Sequence, residues 1–245
     1  MAKAACLSIL LVIVCQSGCT RNAVQPLRGN LKFASFSKAK KAIYGVFSGY
    51  ERTFYCNCAY SERRIQPASC GYIPKKLTKR ARRTEIEHIV PAAAFGRSFP
   101  EWRNGHPKCI NKDGRSFRGR QCARKVSLIY RRMESDLYNL VPAIGEVNAE
   151  RRHYSMGVVQ GEPRHFGQCD VEIVDRTVEP STRIRGDIAR IYLYMDWAYP
   201  GRGILNSARR KMFEAWSRLD PVDDWERTRM RRIREIQGND NPFVR

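Results

Sequence analysis

Apolar residues recur at helical spacing through much of the chain. One such stretch contains Leu128, Ile129, Met133, Leu137 and Leu140. Their spacing near four predicts a helix over residues 127–140 that Pro142 ends. Similar patterns predict helices over residues 36–47, from Gly145 onward, and over 188–197, 207–219 and 221–237. For the last helix, Asp220 and Pro221 are the predicted N-cap and first residue, and Gly238 lies past its end.

Strand patterns are fewer and shorter. Apolar residues alternate with acidic ones over residues 85–90, which predicts a strand that Pro91 terminates. Two more strands are predicted at residues 53–55 and around 171–173. Residues 96–125 show little periodicity and are predicted to form a long loop held by Cys109 and Cys122. The pattern as a whole predicts one α+β domain over residues 21–245, with residues 21–30 as a loose leader.

The first residues have the pattern of an export signal. Lys3 precedes an apolar run over residues 4–15, and small residues follow up to Cys19. The run is too short to span a bilayer and predicts a signal peptide over residues 1–20. Two processing outcomes stay open: plain cleavage near residue 20, or a lipoprotein signal that leaves Cys19 lipidated. Both predict a periplasmic or secreted protein.

Six cysteines follow the signal: Cys56, Cys58, Cys70, Cys109, Cys122 and Cys169. In an oxidising compartment this even number predicts up to three disulfides, with 15 possible pairings. Cys56 and Cys58 are poorly placed to pair with each other, so each is expected to reach a different part of the chain. A zinc site is the alternative, but the Cys-x-Cys spacing does not match the usual ligand spacing.

The net charge of the chain limits the classes of partner that it is expected to bind. Lys and Arg number 45 against 24 Asp and Glu, a formal net charge of +21. This excess favours a polyanion: nucleic acid, an anionic membrane surface or an acidic glycan. A hydrophobic content of 42% excludes a wholly disordered chain. No apolar run reaches the roughly 20 residues of a membrane-spanning helix, which excludes a polytopic membrane protein.

The candidate chemistry centres on Glu87 and His88. A neutral imidazole is a base poised near pH 7, and carboxylate and amide oxygens are ligands that suit Mg²⁺. Neighbours in a regular strand face opposite ways, so a twist or bulge near Pro91 is needed to bring both to one pocket. By pattern alone, a structural histidine beside a surface carboxylate is the commoner arrangement.

Several sequence blocks resemble the bacterial endonuclease I family of secreted or periplasmic, non-specific nucleases. The first is EHIVPA at residues 87–92, followed by Phe95-Gly96. The second, MESDLYNLVPAIGEVN at residues 133–148, is long and specific. Shorter blocks lie at residues 186–190, 194–197, 216–222 and 237–243. The resemblance covers most of residues 50–245 in the right order.

The resemblance implies a ββα-metal active site that cuts DNA and also RNA. In that family's arrangement, His88 would activate water, while Glu87 and Asn139 would hold Mg²⁺ or another divalent cation. A loop arginine would contact the phosphate. The position aligns best with His106, and the nearby substitutes are Arg103, Arg115, Arg118 and Arg120.

Three further polar residues have open roles. Glu85 shares a strand face with Glu87, so it either supports the metal site from behind or faces solvent. Glu146 and Asn148 belong to the second block, where helix capping and a direct role are both open. His153 and His165 lie outside the matched core and are predicted to be surface residues.

Basic runs at residues 75–83 and 115–132 flank the candidate site and predict salt-sensitive, sequence-independent phosphate binding. The sequence thus predicts a monomeric, Mg²⁺-dependent endonuclease with no obligate protein partner. The alternatives are an exported basic nucleic-acid-binding protein without hydrolytic activity and a cationic membrane-active protein.

Overall fold

The computed structural model describes Met1, residues 28–161 and residues 163–245. The predicted signal peptide and Cys19 lie outside these described residues, apart from Met1. The helices are α1 Phe36–Val46, α2 Ala92–Gly96, α3 Pro100–Arg103, α4 Arg120–Val126, α5 Leu128–Glu134, α6 Gly145–Arg151, α7 Arg185–Ala198, α8 Ser207–Leu219 and α9 Asp224–Gln237. The strands are β1 Tyr60–Ser61, β2 Arg64–Ile65, β3 Thr84–His88, β4 Leu140–Ile144, β5 Ser155–Met156, β6 Val171–Val174 and β7 Thr177–Pro180. The α+β prediction is confirmed.

The pair β3–β4 positions the site. The two strands are antiparallel, in register from Thr84 opposite Ile144 to His88 opposite Leu140. All five residues of β4 are buried, and α6 begins directly after it. Gly145 makes this junction possible, because a Cβ there would lie 2.7 Å from the carbonyl oxygen of Arg80. Along the chain, β3 is followed by a long connection, then by β4, and directly after it by α6.

The helix predicted over residues 127–140 is wrong in its second half. Helix α5 ends at Glu134, a 3₁₀ turn covers Leu137–Asn139, and residue 140 already belongs to β4. Asp136 causes part of this break, because its side chain accepts from the backbone N–H of Tyr138 and caps the 3₁₀ turn. The apolar residues at 140 and 141 belong to a strand that is buried on both faces, which shows no alternation.

Three disulfides join Cys56 to Cys169, Cys58 to Cys70 and Cys109 to Cys122. The prediction that Cys56 and Cys58 reach different parts of the chain is confirmed. The first bridge links the segment before β1 to the turn before β6, and so to the three-stranded sheet β5–β7–β6. The third holds the connection between α3 and α4.

Other predicted elements need correction. Residues 53–55 form no strand; residues 54–56 are a turn whose Phe54 N–H donates to the Pro142 carbonyl. The loop predicted over residues 96–125 contains α3 and most of α4. The N-cap of α9 is Asp223, whose side chain accepts from the Glu226 N–H. Asp220 instead accepts from the N–H of Gly186.

A buried carboxylate, Asp136, ties the C-terminal helices to the centre. It accepts from the hydroxyls of Tyr194 (2.8 Å) and Tyr199 (2.7 Å) and from the Gln237 amide (2.9 Å). With the Tyr138 N–H described above, the backbone N–H of Asn30 makes a fifth donor at 3.3 Å. Gly29 and Asn30 are therefore buried against the domain, so this end of the predicted leader 21–30 is not loose, and residues 21–27 lie outside the described part of the chain. No helix in the described part of the chain is both long and apolar enough to cross a membrane.

Candidate active site

A cleft of about 340 Å³ opens beside the end of β3. Its walls come from α1, β3, α2, α3, α4 and α6 and the residues just after α6. The polar and charged residues that line it are Arg80, Glu87, His88, Arg120, Asn148, Arg151, Arg152 and His153. The structure thus brings Glu87 and His88 to one cavity, although they are neighbours in a strand.

His88 is held at one edge and on one face of its ring. Its Nε2 lies 2.8 Å from the Glu134 carbonyl oxygen, and Phe36 stacks on the ring with a centroid distance of 4.8 Å. A carbonyl only accepts, so Nε2 carries the proton and Nδ1 keeps a lone pair. Burial lowers the pKa of His88 to about 4, and the positive charge of Arg120 adds to the shift. The imidazole is therefore neutral at pH 7, as a base must be.

Glu87 is only 4% exposed and meets a single buried cation. Its Oε1 lies 3.1 Å from Nη1 of Arg151 and accepts a long hydrogen bond from the Tyr55 hydroxyl. Its Oε2 accepts from the backbone N–H of His88 at 3.1 Å, which folds the carboxylate back toward the cleft. Burial raises the pKa of Glu87 to about 7, although Arg151 opposes the shift.

Arg151 is buried and holds the end of β3 in place. Besides Glu87, its guanidinium donates to the carbonyls of His88 (2.9 Å) and Ile89 (2.5 Å). An uncompensated buried charge is costly, so Arg151 and Glu87 depend on each other. One residue on α6 therefore fixes the backbone that carries His88.

Asn139 does not reach the cleft, contrary to the sequence prediction. Its side chain is fully buried. Its Oδ1 accepts from the Val90 N–H at 2.7 Å and its Nδ2 donates to the Val90 carbonyl at 2.9 Å. Both polar atoms are thus used inside the protein, and the residue acts as a structural clamp between the 3₁₀ turn and the segment after β3.

Asn148 lies where the sequence prediction placed Asn139. It is on α6 and lines the cleft together with Glu87 and His88. Its Nδ2 donates to Oε2 of Glu85 at 3.3 Å, which orients the amide. Glu85 itself pairs with Arg80 and Arg83, and it supports the cleft from behind instead of facing solvent alone. Glu146 turns away, accepting from Tyr72 and from the N–H groups of Lys75 and Lys76.

Only one of the five candidate phosphate contacts lines this cleft, namely Arg120. Its Nε donates to Glu134 at 2.6 Å, while its Nη2 is buried with no hydrogen-bond partner in the described part of the chain. His106 and Arg118 line a separate cavity. Arg103 donates to the Arg97 carbonyl, and Arg115 is exposed in the loop.

Glu134 holds the arginine side of the cleft. Its carboxylate binds both Arg120 and Arg124, each at 2.6 Å. Burial works against ionisation, but the hydrogen bonds and charges of the two arginines outweigh it and lower the pKa of Glu134. Glu134 therefore stays charged and keeps Arg120 at the cleft, while its own backbone carbonyl orients His88.

The donor set fits a divalent cation. Glu87 and Asn148 supply a carboxylate and an amide oxygen, which are hard ligands of the kind Mg²⁺ takes together with waters and substrate phosphates. The described residues contain no cluster of three or more His, Cys, Asp or Glu that could hold a metal without such help. The site suits a cation shared with a phosphate better than a resident structural metal.

A buried neutral imidazole, a carboxylate–amide pair and arginines around one cleft define a nuclease-type site. Comparison with known proteins agrees: a sequence model of the Endonuclease I family matches residues 30–245. The chain belongs to the Endonuclease I family and is an endonuclease.

Individual relatives are similar over most of their length. An extracellular deoxyribonuclease of Aeromonas hydrophila is 41% identical over 218 residues, covering 86% of this chain and 88% of that protein. A periplasmic deoxyribonuclease of the same organism is 39% identical, covering 86% and 85%. The endonuclease-1 of Buchnera aphidicola subsp. Acyrthosiphon pisum is 37% identical, covering 86% and 80%.

Sequence reasoning missed three contributors to the site, Arg151, Phe36 and His153, and left the role of Asn148 open. Arg151 and Asn148 lie on α6 with a spacing of one helical turn, a signal that was available once α6 was placed directly after a strand. Phe36 and His153 are distant in sequence, and no local pattern points to them.

Proposed function

We propose that this protein is a Mg²⁺-dependent endonuclease that hydrolyses the phosphodiester bonds of DNA, and also of RNA, with little sequence preference. The observation that carries the proposal is the fixed tautomer of His88, whose free Nδ1 shares a cleft with Glu87, Asn148 and Arg120. The deoxyribonuclease names of the Aeromonas relatives support DNA as substrate.

In this proposal, His88 is the general base. Nδ1 takes a proton from a water molecule, whose oxygen then attacks the phosphorus. The bond from phosphorus to the 3′-oxygen breaks, and that oxygen leaves and is protonated by solvent. The reaction does not use the 2′-hydroxyl, so the chemistry serves DNA and RNA alike.

The other residues supply charge and position. Glu87 and Asn148 would hold the divalent cation, which supplies charge that stabilises the phosphate and the departing oxygen. Arg120 offers a phosphate oxygen a buried N–H donor, Nη2, that has no hydrogen-bond partner among the described residues. Arg151 keeps the backbone carbonyl of His88 in place, so it is a positioning residue.

Export also belongs to the proposal. Relatives are named extracellular or periplasmic, and the three disulfides suit an oxidising compartment. A signal peptide over residues 1–20 would deliver the domain there, with or without a lipid on Cys19.

The test is a plasmid-nicking assay on oxidised protein with Mg²⁺ and with EDTA. Replacing a general base lowers the rate by about 10²- to 10⁴-fold, which we expect for His88→Ala. His165→Ala is the matched control, because His165 is exposed and lines no part of the cleft. Full activity of His88→Ala would refute the assigned base. Binding of plasmid without nicks, with every divalent cation tried, would favour the non-hydrolytic binding protein.

A further inference from the structure

A second cleft, of about 620 Å³, adjoins the active-site cleft. The two share Ala93 and His153 in their walls, so they form one continuous groove. The walls of the second cleft also include Arg97, Ser155, Gly201, Arg202, Gly203 and Arg209. Three arginines and a histidine line it, and none of the described carboxylates does.

The arginines of this cleft form no ion pair with any carboxylate among the described residues. Arg97 and Arg202 have no side-chain hydrogen bond or ion pair within the described ranges, and Arg209 donates only to the Ser155 hydroxyl at 2.6 Å. Elsewhere on the surface many arginines are paired, such as Arg80 with Glu85 and Arg210 with Asp196. A groove with unpaired guanidinium donors suits an anionic ligand.

Arg202 is held ready for such a ligand. Its guanidinium lies over the ring of Phe99, 4.1 Å from the centroid, and Phe99 is itself buried. Gly201 and Gly203 on either side both have positive φ, at 75° and 65°, which lets the turn present the arginine. Burial lowers the pKa of Arg202, although the negative charge of Glu101 opposes the shift.

We propose that Arg97, Arg202 and Arg209 bind backbone phosphates of the nucleic acid on one side of the scissile bond. This inference rests on the proposed function, because the scissile phosphate is taken to lie at Glu87, His88 and Arg120. In this proposal the three arginines contact backbone phosphates and no base edges. They therefore add affinity for nucleic acid without sequence preference. His153 lines both clefts, so the proposal places it beside the bound nucleic acid.

The binding test uses a triple variant, Arg97→Gln, Arg202→Gln and Arg209→Gln. The matched control carries the same charge change at Arg218, Arg227 and Arg231, which are exposed on α8 and α9. Binding of a labelled 20-base-pair duplex is measured by fluorescence anisotropy in EDTA, where no cleavage occurs. We expect Kd to rise at least about tenfold for the groove variant at 0.1 M salt. The slope of log Kd against log salt should fall by about one per lost phosphate contact.

The control should change Kd by less than about threefold, because charges outside the contact are screened beyond roughly 10 Å at this salt. A Kd for the groove variant equal to that of the control would overturn the proposal. Thermal unfolding of both variants verifies that each is folded.

A second readout separates this proposal from the proposed function. Bis(p-nitrophenyl) phosphate is a phosphodiester without flanking phosphates. The groove variant should hydrolyse it at the wild-type rate while its KM for plasmid rises. An equal loss on both substrates would contradict a role limited to flanking phosphates. If the wild type hydrolyses neither substrate, the nuclease proposal fails, and the anisotropy result in EDTA still decides whether the groove binds nucleic acid.

Discussion

Asn139 and Asn148 lie just outside the two ends of β4, and the structure gives them opposite environments. The amide of Asn139 is buried and exchanges two hydrogen bonds with the backbone of Val90. The amide of Asn148 lines the cleft, and its nitrogen alone is bound, by Glu85. An amide whose atoms are both used inside the protein stabilises the fold. An amide with its oxygen left over can serve a ligand.

Two buried carboxylates show the same contrast. Asp136 is surrounded by hydroxyl and amide donors from four parts of the chain. Glu87 has one arginine, one backbone N–H and a long contact to Tyr55, and it borders the cleft. Burial raises the pKa of both. Only Glu87, however, can gain by binding a cation that enters from solvent.

The largest expected effect is on activity, from Asn148→Ala. Loss of a metal ligand should lower the rate of plasmid nicking by at least about 100-fold, since even the outer partners of metal ligands are worth 10–100-fold. The free energy of unfolding should change by less than about 1 kcal/mol, because no buried group loses its partner. Asn148→Asp keeps an oxygen at the site and should retain more activity than Asn148→Ala.

Asn139→Ala should instead act on stability. It leaves the N–H and carbonyl of Val90 buried without partners, each costing about 1–3 kcal/mol. We expect the free energy of unfolding, from urea titration, to fall by about 2–6 kcal/mol. At a temperature where the variant is folded, its Mg²⁺ requirement should match that of the wild type. If folded Asn139→Ala needed far more Mg²⁺ than the wild type, Asn139 would have a role in metal binding, contrary to the contrast drawn with Asn148.

The pKa of Glu87 predicts how metal use depends on pH. Below about pH 7 the carboxyl of Glu87 is protonated, and its proton must leave before the cation binds. The Mg²⁺ concentration for half-maximal nicking should therefore rise about tenfold per pH unit below 7 and be flat above it. His88 stays neutral down to about pH 4. A constant Mg²⁺ requirement with a falling maximal rate would point to His88 as the titrating group.

Glu85→Ala tests the support behind Asn148 and should have the smallest effect. Without its partner the Asn148 amide loses its fixed orientation, and we expect about a tenfold loss of activity. The control is Glu235→Ala, an exposed carboxylate on α9, which should leave activity unchanged. Equal activity of Glu85→Ala and Glu235→Ala would show that Glu85 does not support the active site.

The sequence predicted the elements whose pattern is local. Helix α8 has the predicted bounds, and β3 and α6 lie where alternation and Gly145 placed them. The prediction failed where a strand is buried on both faces. The apolar residues of β4 extend the helical spacing of α5, so the pattern could not show where the helix ends.

The wrong end of the helix predicted over residues 127–140 also led to the wrong asparagine as the candidate metal ligand. With a helix over residues 127–140, Asn139 was the asparagine that a helix returns to the site. With β4 in its place, α6 is that helix and Asn148 is its asparagine. The base and the carboxylate were found because Glu87 and His88 are adjacent in sequence. Arg120 stayed one of several loop candidates because only the packing of Glu134 against it selects it.

Direct binding of Mn²⁺, measured by electron paramagnetic resonance with diethyl phosphate supplying the phosphate oxygens in place of nucleic acid, tests the central claim most directly. Wild type, Asn139→Ala and Asn148→Ala are titrated under one condition at pH 8, where Glu87 is ionised. We predict one bound ion of equal affinity in the wild type and in Asn139→Ala, and at least about tenfold weaker binding in Asn148→Ala. Retained binding in Asn148→Ala with loss in folded Asn139→Ala would contradict the account.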